Sequence, residues 1–493
     1  MENIKMLPLK EKNFNNNNDT SKFDVVPSNE KISHDNRDIF SDIRTILYAI
    51  IFGILFGFFM NKGTVFVAPT IRKQMLFQRF AMLKMFLAAV GTSMLSVGLL
   101  TLCCRKLYEK ILNGYIEHNS RRGILHYLFG GTLIGLGMII CGSCLGTVFV
   151  QVGSGIVNSL FTCLSGLLGT YFYYIFVHER VSLEKLSSSS LVLRRICDLF
   201  HIHSVIVHIV FGLILLGISI GLEFIIPWKG SGIVNSLFTC LGGLLGTYFY
   251  YIFVHERVSL EKLSSSSLVL QRICDLFHIH SVIVHIVFGL ILLGISIGLE
   301  FIIPWKSDLN PSLFIKGTLN PDEALGHFLG MAAWPPSACG AGVGLLQFCF
   351  IFFLEKSLGI SSAFTVFAAQ ICRIKKVGQS LPSLNSFAYE LKNHVSLLFA
   401  LGAIGGSALS SSLSRTIPLG AENGTNILSS IIGGFLLLLG ARCAGGCTSG
   451  QGISGMTHLL VGSFITTASI FGGGIIFAFS ILLSNNEWLF QNL

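Results

Sequence analysis

The chain has 493 residues, of which 52% are hydrophobic and only 12% are charged, and its net charge is +9. Soluble domains carry about 25% charged residues, so this composition excludes an ordinary soluble globular protein. The positive charge does not indicate nucleic-acid binding, because most Lys and Arg residues lie in short segments between apolar runs. Such positions face lipid headgroups and water.

The first 43 residues are polar, carry mixed charge and include the run Asn15–Asn18. A segment of this composition cannot bury a hydrophobic core, so residues 1–43 are predicted to be a disordered tail. The tail has neither the short apolar core of a secretory signal peptide nor the acidic-poor composition of a transit peptide. It is predicted to lie in the cytosol.

Apolar runs follow the tail, and most approach or exceed the roughly 20 residues that a transmembrane helix needs. They lie at 44–61, 81–104, 127–150, 155–177, 204–226, 326–354, 394–414, 426–442 and 460–484. The sequence therefore predicts an all-α, multi-pass integral membrane protein, placed in the plasma membrane.

Four further segments lie between or beside the spans. The stretch 178–203 is predicted to be an interfacial amphipathic helix, and 357–372 is too short to cross alone, which favours a re-entrant or broken helix. Segments 62–84 and 105–122 are interpreted as loops. They are equally basic and flank one span, so the distribution of positive charge does not orient the chain.

A tandem repeat is obvious in the middle of the chain. Residues 153–229 recur at 230–306, and only two positions differ, Ser165 against Gly242 and Arg194 against Gln271. Each copy holds two spans, so the extra copy preserves the orientation of everything that follows. A solenoid would need several diverged repeats with capping ends, which this pattern lacks.

A fainter repeat relates two glycine-rich segments, GGTLIGLGMIICGSCLGT at 130–147 and GGFLLLLGARCAGGCTSG at 433–450. Aligning Cys144 with Cys447 also aligns Gly142 with Gly445. Glycine-interrupted apolar segments at corresponding positions of two halves indicate a transport site near the bilayer midplane. The sequence thus predicts two pseudo-symmetric, inverted halves with broken helices, at 44–229 and 320–485, with the duplicate 230–306 between them.

The glycine clusters have two interpretations. Single glycines can serve close helix packing, whereas six glycines within GARCAGGCTSGQGISG would weaken a continuous helix and favour a helix, a break and a restarted helix. A restarted helix offers free N–H groups and a positive dipole end, which attract an anion. Cys144 and Cys447 would add polarizable sulfur atoms at such breaks.

Several neighbours are candidate substrate-binding residues. Ser143, Thr448 and Ser449 could donate hydroxyl hydrogen bonds to oxyanion oxygens, and Gly446 belongs to the same motif. Arg442 is flanked by long uncharged tracts, and an intramembrane charge is a functional candidate. The alternative for Arg442 is an interfacial position or pairing with backbone carbonyls.

The spacing of the pairs Cys141–Cys144 and Cys443–Cys447 also suggests a zinc site or redox chemistry. Only the second cysteine of each pair is matched between the halves, and zinc needs four converging ligands. No metal and no cofactor are therefore expected, and no catalytic residue is assigned.

These motifs resemble the YeeE/YedE sulphur-transport family, whose characterised bacterial members include a thiosulfate transporter. The likeness is carried by GARCAGGCTSGQGISGMTHLLVGSF at 440–464, GGTLIGLGMIICGSCLGTVFVQVGSG at 130–155, FGILFGFFMNKGTVFVAPTIRKQM at 52–75 and WPPSACGAGVGLLQ at 334–347. The resemblance implies a narrow pathway lined by cysteines, here Cys144 and Cys447. The chain has Phe66 where the family's third cysteine belongs and Gln451 where a histidine is usual.

The leading hypothesis is a non-enzymatic permease for thiosulfate or a related small sulfur anion, with sulfite, sulfate and selenium species left open. A second hypothesis is a membrane thiol carrier that hands sulfur to a soluble sulfurtransferase partner. A third is a helical scaffold that transports nothing, which is possible if the duplication displaces the second half.

Overall fold

The computed structural model describes residues 36–119, 122–178, 281–308, 328–389, 391–416 and 424–483. The chain divides into two units, Met1–Ser41 and Asp42–Leu493, and the contacts discussed here lie in the second. The described residues form helices and contain no β-strand. The main helices are α1 Asn36–Lys62, α2 Ala68–Met75, α3 Ala81–Cys103, α4 Arg105–Asn119, α5 Ile124–Cys141, α6 Leu145–Gly153, α7 Asn158–Phe172, α8 Ser281–Ile302, α9 Pro336–Leu354, α10 Ser361–Ala369, α11 Leu391–Leu413, α12 Ile427–Cys443, α13 Thr448–Gly455 and α14 Val461–Leu483.

Nine helical segments of the described part are long and apolar enough to cross a membrane. They are Asp42–Lys62, Ala81–Cys103, Ile124–Gly153, Asn158–Val177, Ser281–Ile302, Pro336–Leu354, Asn393–Leu413, Ile427–Gly455 and Val461–Leu483. The prediction of an all-α, multi-pass membrane protein is therefore confirmed. The exposed side chains of Leu160, Leu164 and Leu168 form a helical stripe along α7, as expected of a lipid-facing surface.

The two segments interpreted as loops contain helices, so that interpretation is wrong. Segment 62–84 contains α2 and the start of α3, and segment 105–122 contains α4. Helix α4 buries Tyr108, Ile111 and Leu112 on one face, and their spacing is that of an amphipathic helix. The short helix α10 lies inside 357–372, where a re-entrant or broken helix remains a prediction.

Two helix starts differ from the expected bounds. Helix α9 begins at Pro336, ten residues after the start of the predicted span. The backbone N–H of Trp334 donates to the Lys62 carbonyl oxygen instead of joining the helix, and proline favours the first helical turn. Helix α1 begins at Asn36, inside the segment predicted as a tail, and residues 1–35 lie outside the described residues.

Within the described residues, the duplicated segment contributes one long helix from each copy. Helix α7 belongs to the first copy and packs against α12, whereas α8 belongs to the second copy and packs against α3. The predicted span 204–226 lies outside the described residues, as does all but the first residue of the predicted interfacial helix 178–203. The second half still packs against the first, because α5 contacts both α12 and α14.

Helices α5 and α12 pack through glycines in reciprocal order. A Cβ added at Gly137 would lie 2.8 Å from the carbonyl oxygen of Gly433, and one added at Gly440 would lie 2.7 Å from that of Gly130. Since Gly130 aligns with Gly433 and Gly137 with Gly440, the two contacts are equivalent. Small residues of this kind let helix backbones approach closely in membranes.

Candidate functional site

Both glycine-rich segments contain a real interruption between two helices. Helix α5 ends at Cys141 and α6 begins at Leu145, while α12 ends at Cys443 and α13, which is a π-helix, begins at Thr448. The chain turns at Gly142 with φ +59° and at Gly445 with φ +74°, a conformation that glycine adopts without steric cost. These two glycines align in the repeat, so the predicted break occurs at the same place in both segments.

Each aligned cysteine immediately precedes a restarted helix. Cys144 is extended, with φ −101° and ψ 168°, ahead of α6, and Cys447 is extended, with φ −106° and ψ −169°, ahead of α13. The N–H groups in the first turn of a helix have no partner within that helix, and they give this end partial positive charge. Both thiols therefore lie at ends suited to an anion.

The fold brings the two cysteines into one buried region. Helix α6 contacts α13, and the Cys144 thiol lies near the hydroxyl of Thr448 and the thiol of Cys447. The hydroxyl of Ser449 lies 3.1 Å from the Cys447 sulfur. Cys144 is 6% exposed and Cys447 is fully buried. Two thiols and two hydroxyls thus cluster where α6 and α13 begin.

The hydroxyl of Ser143 is occupied within the protein. It donates to the side-chain oxygen of Gln151 at 2.5 Å, and the amide nitrogen of Gln151 donates to the Phe66 carbonyl oxygen at 2.6 Å and the Gly142 carbonyl oxygen at 3.1 Å. Ser143 therefore supports the break and the segment before α2 instead of pointing an unused donor at the cysteines.

The second half has a matching connection. Ser454, seven residues after Cys447 as Gln151 is after Cys144, donates its hydroxyl to the carbonyl oxygen of Leu358 at 2.5 Å. Phe66 precedes α2 and Leu358 precedes α10, so in each half the restarted helix binds the backbone just before a short helix. This shared contact fixes the short helices relative to the breaks.

Arg442 lies at the end of α12, beside the second break. Its guanidinium donates to the hydroxyl of Thr365 and, at 2.9 Å, to the carbonyl oxygen of Ser361, both on α10. Its Nε is buried and has no hydrogen-bond partner among the described residues. Gly446 is close to Gln451, since a Cβ there would lie 3.0 Å from the Gln451 side chain.

A second guanidinium covers the same break. The side chain of Arg122 lies so near Gly445 that an added Cβ would be 2.7 Å from its Nε. Arg122 and Arg442 both lie near Cys443, the last residue of α12. Neither forms an ion pair with an acidic side chain within the described part of the chain. The break before Cys447 is therefore a region of positive potential.

Helix α4 holds α13 in place through Tyr115. The hydroxyl of Tyr115 lies 3.0 Å from the carbonyl oxygen of Gly450 and 3.2 Å from the side-chain oxygen of Gln451. Burial raises the pKa of Tyr115, so this group remains a hydrogen-bond donor at neutral pH. Gln451 in turn donates to the Ala444 carbonyl oxygen at 2.9 Å and ties α13 to the break.

The cysteine pairs form neither disulfides nor a metal cluster in the part of the chain that is described. Its cysteines are free thiols, and no group of three His, Cys, Asp or Glu side chains there could hold a metal ion.

Gln151, Arg122 and Tyr115 are the site residues that sequence reasoning missed. Gln151 had a usable signal, because it is an amide inside a charge-free tract and a buried polar group needs partners. Arg122 and Tyr115 had none, since their contacts with Gly445 and Gly450 join residues that are distant in sequence.

A protein-family model described as sulphur transport matches residues 62–225 and again residues 229–476. No curated protein matches the chain. The matched ranges contain both breaks, both aligned cysteines and all of the duplicated segment except residues 226–228. The chain therefore belongs to the sulphur-transport family, YeeE/YedE, and is a multi-pass membrane protein of that family.

Proposed function

We propose that the protein is a membrane permease for thiosulfate, which passes between Cys144 and Cys447 along a narrow pathway. The single observation that carries the proposal is the meeting of two restarted helices, each headed by one of these thiols. Family membership supports sulfur transport in general. The finer assignment rests on the chemistry of this pair.

Thiosulfate has a soft terminal sulfur and charged oxygens at its other end. A thiol is polarizable and donates a weak hydrogen bond, so Cys144 and Cys447 suit the terminal sulfur. The N–H groups and dipoles of α6 and α13 suit the negative charge without placing a full charge in the bilayer. Thr448 and Ser449 add hydroxyl donors for the oxygens, and Gly446, which has no side chain, lets Gln451 pack against the break beside them.

Arg122 and Arg442 give the pathway its preference for anions. Their charges lie at the break that leads to Cys447 and are not neutralised by described acidic groups. A fixed positive potential in a region of low dielectric raises the local concentration of a doubly charged anion. The anion would leave the arginines for the thiols without covalent chemistry, so no catalytic residue is required.

The protein is proposed to lie in the plasma membrane with its N-terminal tail in the cytosol. A protease added to right-side-out vesicles should leave an N-terminal tag intact, and removal of the tag by external protease would contradict this orientation.

Purified full-length protein in liposomes tests the proposal. Labelled thiosulfate should accumulate above empty liposomes, and excess unlabelled thiosulfate should compete, whereas sulfate, sulfite and selenite should compete poorly. Equal competition by sulfate would contradict a site that selects its substrate by the polarizable terminal sulfur of thiosulfate. A persulfide on Cys447 without net flux would instead support a sulfur carrier that serves a soluble sulfurtransferase.

A further inference from the structure

His285 on α8 is fully buried and lies between two carbonyl oxygens. Its Nδ1 is 2.6 Å from the oxygen of Ser281, one turn earlier, and its Nε2 is 2.9 Å from the oxygen of Thr457, just after α13. Carbonyl oxygens only accept hydrogen bonds, and a neutral imidazole has one N–H. Both contacts are therefore satisfied only when the ring is a doubly protonated imidazolium.

Loss of the proton breaks one of these two bonds. The lone pair of one ring nitrogen would then face the lone pairs of a carbonyl oxygen, which is repulsive at these distances. The Ser281 oxygen is the nearer of the two, at 2.6 Å against 2.9 Å, so a lone pair facing it would be the more repulsive and the neutral ring keeps its hydrogen on Nδ1. The bond that is lost is then the Thr457 contact, which joins α8 to the segment directly after α13.

Helices α3 and α4 pack beside His285. Helix α3 contributes Gly98, whose added Cβ would lie 3.2 Å from the His285 Cβ. Helix α4 contributes the Tyr108 ring, edge-on at 6.2 Å, and the His458 ring lies 5.8 Å beyond Tyr108. Tyr108 and, behind it, His458 are titratable groups that face His285 from these elements.

Charged side chains near the opposite end of α8 form ion pairs with one another. Lys84 lies 3.7 Å from Glu300 and 3.3 Å from Asp308. They belong to a separate cluster from His285.

We propose that His285 is a proton-binding site: a proton taken from water converts the imidazole to the imidazolium and clamps the segment after α13 onto α8. Passage of the anion past Cys447 is thereby coupled to protonation, a step that rests on the proposed function. A buried ionisable residue in a membrane protein is a functional candidate, and histidine titrates near physiological pH.

The test compares His285→Gln with His208→Gln. His208 occupies the corresponding position in the first copy of the duplicated segment, with the same sequence neighbours. Glutamine is neutral at every pH tested. Its single amide nitrogen cannot replace the two ring nitrogens that donate to the two carbonyl oxygens. The rate at which N-ethylmaleimide modifies Cys447 is measured by mass spectrometry on full-length protein, and each rate is divided by that of His285→Gln at the same pH. The division cancels the intrinsic pH dependence of the thiol.

At about pH 5.5 the wild-type rate should be about tenfold below that of His285→Gln, and the two should converge at about pH 8, because the clamp is lost with the proton. His208→Gln should follow the wild type throughout. A constant ratio across this range, or the same behaviour in His208→Gln as in His285→Gln, overturns the proposal. The smaller variant His285→Asn serves if the glutamine variant is not recovered folded.

Transport provides the second measurement. An acid-outside gradient should change the rate of thiosulfate uptake by the wild type and by His208→Gln, and should leave His285→Gln unaffected. An equal response of His285→Gln overturns the coupling. If the wild type carries no thiosulfate, the labelling experiment still decides whether His285 binds the proton, so the two proposals fail separately.

Discussion

Gly137 and Gly433 lie so close that a Cβ on either would be within 3 Å of the other's carbonyl oxygen, at 2.8 and 2.9 Å. This contact joins the two broken helices within the glycine-rich segments 130–147 and 433–450, which carry the cysteines. Gly137→Ala and Gly433→Ala should each lower the free energy of unfolding by about 1–3 kcal/mol, the range found for overpacked interiors. Denaturation of the purified protein in detergent measures the change.

Gly294→Ala is the matched control, because an added Cβ there meets no atom within 4 Å. Alanine favours a helix more than glycine does, so this variant should be as stable as the wild type or slightly more so. If Gly137→Ala were as stable as Gly294→Ala, the close contact between α5 and α12 would be wrong.

Replacing either aligned cysteine by serine tests whether transport needs the polarizable sulfur atom or only a small side chain. Serine keeps a small hydrogen-bonding side chain but lacks the polarizable sulfur, so Cys144→Ser and Cys447→Ser should abolish thiosulfate uptake while the protein remains folded. Cys349→Ser, on α9 and only partly buried, should transport normally. Normal uptake by both Cys144→Ser and Cys447→Ser would remove the basis of the proposed pathway.

The spans and breaks were accessible from sequence because their causes are local. Hydropathy over about 20 residues predicts a span, and the clustered glycines, with Gly142 aligned on Gly445, predicted interruptions that both segments contain. Helix α4 was not predicted although Tyr108, Ile111 and Leu112 have helical spacing, because the high charge of 105–122 is also typical of a loop between spans.

The contacts around the cysteines could not be predicted, because they join distant parts of the chain. Arg122 meets Gly445, and Gln151 binds the carbonyl oxygen of Phe66. No periodicity or motif encodes such pairs. Ser143 shows the converse, since its residue type suggested a substrate contact while Gln151 accepts its hydrogen bond.

The two arginines at the second break should set the affinity for the anion. Arg122→Gln and Arg442→Gln should each raise the KM for thiosulfate about tenfold or more, because a hydrogen bond to a charged group contributes about 1.5–3 kcal/mol. Initial uptake rates over a range of thiosulfate concentrations give the KM. Arg105→Gln on α4, where the arginine is exposed and paired with Glu109, is the control and should leave the KM unchanged. An unchanged KM in both Arg122→Gln and Arg442→Gln would contradict an anion site at the break.

Deleting residues 179–255 should leave transport intact. The deletion joins His178 to Glu256, which restores the His-Glu sequence of a single copy, because the repeat has a period of 77 residues. Helix α7 comes from the first copy and α8 from the second, so every described helix is retained. Thiosulfate uptake per folded molecule should therefore equal that of the full chain, measured side by side in liposomes.

Deleting 230–306 instead provides an internal comparison. The two shortened chains differ at one position only, which is Arg in one and Gln in the other, as at Arg194 and Gln271. Both should transport alike, because α7 against α12 and α8 against α3 can form in either chain. Loss of uptake in both, with folding preserved, would show that the second copy contributes directly to transport, and that the described helices do not suffice for it.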